Sequence, residues 1–100
     1  MTITEAITET LEMYIEDGGC TPQSINEGGC GSFVEDVQSL FPDALIACPE
    51  MLGGITDEEK EAGMGESHWF IFYLGKCYDA EAPNGVDRWR DLPYFKRWKM

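Results

Sequence analysis

Cys30 stands in the run NEGGCGSF, beside Gly28, Gly29 and Gly31, where a loop gives way to a helical pattern. A helix start has unpaired backbone N–H groups and about half a positive charge, and both favour a thiolate over a thiol. Glycine neighbours let a carbonyl come close to the sulfur and leave backbone N–H groups open to hold an oxyanion. The position suits a nucleophile, although a small buried thiol in a glycine-rich cap is the plainer use of such a residue. A nucleophilic thiol needs a base, and the chain has one histidine, His68, at the head of the apolar run HWFIFYL. If residues 73–76 (YLGK) turn a hairpin, Phe70 falls opposite Asp79 and His68 opposite Glu81, so that 68, 70, 79 and 81 share one face of the sheet. Asp79, on the diagonal, or Glu81 can then hold the imidazole by one nitrogen while the other faces the thiol. The shorter side chain of Asp79 constrains the ring better, and a one-residue slip of register removes both acids from that face.

Several elements must bring these residues together. In residues 4–17, Ile7, Leu11, Tyr14 and Ile15 recur on one helical face, with Thr4 as N-cap and Gly18-Gly19 as the stop. CTPQSINEGG is read as a loop delivering the chain to Cys30. A second helix carries Phe33, Val34, Val37, Leu40 and Phe41 and halts at Pro42. ALIAC (44–48) is a short buried strand, and SHWFIFYLGKCYDAE is two strands about a glycine turn. Between them ITDEEKEAGMGE is a charged loop, with room for one helical turn, and the most mobile part of the domain. The remainder, APNGVDRWRDLPYFKRWKM, is turn-rich, with an N-G turn and aromatic residues that fold back on the core. The pattern predicts one α+β domain over residues 1–100, N-terminal helices packed on a small antiparallel sheet.

The formal charge of −12 is unevenly placed. Of 19 acidic residues only Asp91 lies beyond Asp87, and of seven basic residues only Lys60 and Lys76 precede Arg88. An acidic body argues against direct nucleic-acid binding, which is driven by basic surfaces. The acids serve solubility, or they mimic a phosphate backbone and make the chain an inhibitor of a nucleic-acid-binding protein, the alternative to an enzyme. The basic tail is then an internal clasp on the acidic face or a segment that docks a partner. The four cysteines form no C-x2-C pair and face no H-x3-H, so neither a zinc site nor another cofactor is expected. No run of about 18 apolar residues predicts a membrane span. The acidic opening MTITEAITETLEMYIEDGG lacks the basic and apolar regions of a secretory signal, so the expected compartment is the cytoplasm, a host's if the gene is viral, with reduced thiols.

The GCGSF turn leading into a helix, the HWFIFY strand with its G-K hairpin and the YDAE ending resemble the papain-like cysteine hydrolases. The compact NlpC-type amidases and endopeptidases and their small phage-encoded relatives are the most similar. The resemblance covers about residues 26–82. It implies Cys30 as nucleophile, His68 as general base and later acid, and Asp79 as the orienting residue, with a protein or peptide amide as substrate. It also implies an amide oxyanion donor shortly before the cysteine, for which Gln23, Ser24 and Asn26 are candidates. Trp69 and the loop 55–67 are expected to border the substrate groove.

Overall fold

The computed structural model describes residues 1–98; Lys99, counted above in the basic tail, lies outside the described residues. Thr2, rather than Thr4, caps helix α1 (Ile3–Gly18) through a reciprocal capping box with Glu5. Thr4 is instead inside the first turn, where its hydroxyl donates to the Pro83 carbonyl 79 residues away. Ile3, Ala6, Ile7, Thr10 and Leu11 form the buried stripe, while Ile15 is 43% exposed, because the stripe ends one turn earlier than its apolar residues suggest.

The expected loop before Cys30 is helical. Thr21 and Ser24 form a second capping box around α2 (Pro22–Ser24), with proline at the first turn, and the chain continues as a single π turn over Ile25–Gly29. Helix α3 (Cys30–Leu40) follows without a break and buries Phe33, Val34 and Val37, while Leu40 stays 43% exposed. The glycines that read as loop punctuation are thus spent inside a helical run, where each costs about 1 kcal/mol relative to alanine.

Four strands, β1 (Leu45–Ala47), β2 (Phe70–Tyr73), β3 (Lys76–Asp79) and β4 (Ala82–Val86), make one antiparallel sheet in sequence order. β1 lies on the sheet edge with Leu45 59% exposed, so ALIAC is buried at Ala44, Ala47 and Cys48 but opens to solvent at Leu45. Leu74 and Gly75, both at positive φ, turn the β2–β3 hairpin and fix the pair Ile71–Tyr78. The Asn84-Gly85 pair is not a turn; it lies inside β4, where the register against β3 shifts. At Gly85, with φ of 83°, a Cβ would come within 2.6 Å of the Tyr78 ring, so the close packing of that ring requires glycine.

The sheet has two apolar faces. Ile71 and Tyr78 join Ile7, Phe33 and Val37 of the helices on one side. Phe70 and Cys77 join Trp89, Leu92 and Phe95 of the C-terminal segment on the other. That segment, with α6 (Pro93–Lys96), is held by the clasp its charge pattern suggested: Arg90 grips Glu59 at 2.7 and 2.8 Å, and Arg97 grips Glu81 at 2.7 and 2.9 Å. Glu59 belongs to α5 (Asp57–Glu61), so the charged stretch expected to be a mobile loop is a capped helix pinned to the tail, followed by buried Met64. Three short segments complete the described chain, α4 (Pro49–Leu52) and 3-10 turns over Met64–Glu66 and Trp89–Asp91. No helix among the described residues is long and apolar enough to cross a membrane.

The Glu59 clasp has a pH signature. Arg90, aided by the Thr56 N–H, holds the Glu59 carboxyl down at about 2. A carboxyl depressed on folding stabilises the fold above its unfolded value, about 4.3, and the gain is lost as pH falls through the folded value. The urea midpoint of the wild type should therefore exceed that of Glu59→Gln in full at pH 6, with the difference shrinking below about pH 4.3 and vanishing near 2.

Candidate active site

Cys30 is the first residue of α3 and half-buried. His68 lies just before β2 and is completely buried; Asp79, the last residue of β3, is 1% exposed. The hairpin register places Phe70 across from Asp79, as the turn at 73–76 requires, and His68 Nε2 reaches Asp79 Oδ2 at 2.9 Å. A carboxylate can only accept, so Nε2 carries the proton and Nδ1 is the free base. Nδ1 is buried and makes no hydrogen bond; with Nε2 held by Asp79 it is the nitrogen left to act on the Cys30 thiol, which lies near enough for each group to shift the other. Tyr94 stacks on the imidazole at 4.4 Å and 24°, with Phe95 and Phe70 tilted against it at 5.7 and 6.1 Å. The ring cannot swing out without disrupting that aromatic packing.

Electrostatics follow from this packing. Burial pushes the Cys30 thiol up, but the nearby His68, the Trp69 N–H and the Gly31 N–H outweigh it, and the net direction is down. Burial pushes His68 down, and the bond to Asp79, the nearby Cys30 and the charges of both reverse this, so the imidazole is raised. A thiol lowered and an imidazole raised against each other favour the thiolate–imidazolium pair. Cys77 moves the opposite way: burial, then Asp79 and Asp91, push it up to about 11.

Glu81, the rival orienter, does not touch the ring. Its backbone N–H donates to Asp79 Oδ1 at 2.9 Å, and its carboxylate takes Arg97 together with Asn26 Nδ2 at 2.9 Å. Asn26, 2% exposed in the π turn four residues before Cys30, therefore ties the cysteine's helical run to Glu81 in the turn that follows Asp79. Removing it takes a donor from a half-buried carboxylate, so Asn26→Ala should cost about 1–3 kcal/mol in a denaturant titration.

The same geometry revises the expected oxyanion donors. Ser24 spends its hydroxyl in the α2 cap, Asn26 spends its amide on Glu81, and Gln23 is exposed in a shallow cavity with Thr21, Ser24, Glu27 and Gly28. The donors that bear on the sulfur are the backbone N–H groups of Gly31 and Trp69. A Cβ added at Gly28, Gly29 or Gly31 would meet nothing within 4 Å, and none of these has positive φ. Neither backbone strain nor packing requires these glycines; they leave open space around the thiol.

A groove of about 220 Å³ opens beside the chain neighbours of Cys30 and His68, lined by Gly31, Val34, Glu35, Ile46 and Trp69. Trp69 thus borders the groove as expected. The segment 55–67 is not among its walls; Glu59 and Met64 line a different cavity with Trp89, Arg90 and Phe95, because the Arg90 clasp draws that segment to the tail. Tyr94 and Arg97 are site residues that sequence reasoning left in the tail. Their aromatic and basic types were the only signal, and nothing in spacing places them on His68 and Glu81. Among the described residues no three His, Cys, Asp or Glu side chains are grouped to hold a metal ion.

No protein-family model matches the chain, and no curated protein or solved structure matches it at a significant level.

Proposed function

We propose that the chain is a thiol-dependent hydrolase or acyl transferase acting on an amide, as a peptidase, amidase or deamidase, through Cys30, His68 and Asp79. The observation that carries this reading is the buried His68, bonded to Asp79 through Nε2, with Nδ1 left unpartnered and Cys30 near enough for thiol and imidazole to shift one another. The Cys30 thiolate attacks the amide carbonyl carbon, forming a C–S bond, and backbone N–H groups around the sulfur receive the oxyanion. His68 Nδ1–H then gives its proton to the leaving nitrogen as the C–N bond breaks. Water, or an amine, attacks the thioester; Nδ1 takes its proton, the acid or new amide leaves, and the thiolate–imidazolium pair is restored. A cysteine at the head of a helix, facing a histidine and an aspartate from an antiparallel hairpin, agrees with a papain-like hydrolase of the compact NlpC type.

The acidic-inhibitor reading draws on the charge excess, but Glu59 and Glu81 are bound by arginines of the same chain and add little free acidic surface.

The test is the pH dependence of iodoacetamide labelling at each cysteine, read by mass spectrometry. Cys30 should react fast below pH 7, well ahead of the partly exposed Cys20, with the buried Cys48 and Cys77 slowest. Cys30 behaving like Cys20 would overturn the proposal. In an assay for turnover, Cys30→Ala should be inactive with an unchanged fold.

A further inference from the structure

We infer that the acyl group taken up by Cys30 belongs to a peptide or protein and presents a lysine or arginine side chain to the groove beside Gly31. This rests on the function proposed above and specifies its substrate. The groove lies beside the site, because two of its walls, Gly31 and Trp69, directly follow Cys30 and His68 in the chain. Its lining combines the buried Val34, the half-buried Ile46 and Trp69, and the exposed Glu35. Apolar walls with a single carboxylate among them match a side chain built as a hydrocarbon stem with a cationic head.

Charge decides among the side chains that fit. Glu35 has no basic partner among the described residues, and α3 carries no lysine or arginine along its length. Asp36 beside it accepts from Tyr14, and no charged residue other than Glu35 lines the channel. A neutral aliphatic side chain would cover Glu35 without compensating it, and an acidic one would face like charge. A lysine or arginine gains the carboxylate and the face of Trp69 together. The net charge of −12 works in the same direction, drawing basic peptides toward the molecule.

The experiment uses three peptidyl acyloxymethyl ketones that differ only in the residue next to the warhead: arginine, norleucine or glutamate. Each alkylates an activated thiolate, forming an S–CH2 bond as the carboxylate leaves, and the second-order rate at Cys30 is read by intact mass. The wild type should prefer arginine over norleucine by about two- to fivefold, with glutamate slowest, the scale of one ion pair at an exposed carboxylate. Glu35→Lys should bring the arginine-to-norleucine ratio to one or below; Glu35→Gln should fall between. Equal rates for arginine and norleucine in the wild type, or a ratio that Glu35→Lys leaves unchanged, overturn the inference. If these occur while iodoacetamide still labels Cys30 rapidly below pH 7, the thiol enzyme stands and only its specificity is wrong. An ordinary Cys30 in the iodoacetamide profile overturns both.

Discussion

In His68→Ala, alkylation of Cys30 is expected to lose its acid step and follow one titration at higher pH, because burial is then opposed only by the Trp69 and Gly31 N–H groups. In the wild type the thiol is held down and the imidazole up, so the two titrate as a pair with two apparent values. As pH rises through the lower value the thiolate forms and the rate climbs. As it rises through the upper value the imidazolium loses its proton, the thiolate loses its counter-charge, and the rate climbs again. An ordinary thiol at pH 6 is under about 1% thiolate, and a more acidic thiol is a weaker nucleophile, so the net deficit of the variant at pH 6 is about tenfold or more. Cys48 and Cys77, both buried, check the fold in the same spectra by staying slow. A variant that keeps the acid step would mean that the Gly31 and Trp69 N–H groups activate the sulfur by themselves and that His68 is packing.

The dyad partner was legible because strand pairing is arithmetic. Once Leu74-Gly75 is recognised as a turn, the parity of 68, 70 and 79 follows, and the 2.9 Å bond between His68 and Asp79 needs only that register. The helix after Cys30 was legible from Phe33, Val34 and Val37. The segment before it was not, because Gly28 and Gly29 argue for a loop on propensity, whereas Thr21 and Ser24 start a helix by a short-range hydrogen-bond exchange that the π turn then carries forward. Asn84-Gly85 misled for a related reason: the dipeptide favours a turn, but here glycine answers a collision with the Tyr78 ring, a contact set by pairing. The roles of Arg97 and Tyr94 were hidden for want of any local rule. Glu81 and Asn26 are 55 residues apart and meet only in the folded chain.

Asp79→Asn should abolish function more completely than its conservative size suggests, because a second hydrogen bond decides how the new amide sits. The Glu81 N–H donates to Oδ1 at 2.9 Å, and only the amide oxygen can accept it. The amide NH2 is then directed at His68 Nε2, in the place where a carboxylate oxygen stood at 2.9 Å. Nε2 must become the acceptor, which moves the ring proton to Nδ1. The neutral base is thereby turned away from the thiol: Nδ1–H points at Cys30 and has no lone pair with which to take its proton. The charge that sustained the imidazolium goes as well. Turnover should fall by about 10³–10⁴, the scale set by loss of an orienting carboxylate in acyl-transfer triads, and the acid step of Cys30 alkylation should move toward the ordinary thiol range. Asp79→Ala distinguishes tautomer from charge. It removes the carboxylate without imposing a donor on Nε2, so it should retain more activity than the asparagine variant, although truncating one partner of a fully buried pair costs about 3–5 kcal/mol of stability. If asparagine proves the milder of the two, Asp79 acts on His68 through packing alone, and the carboxylate has no part in directing the proton.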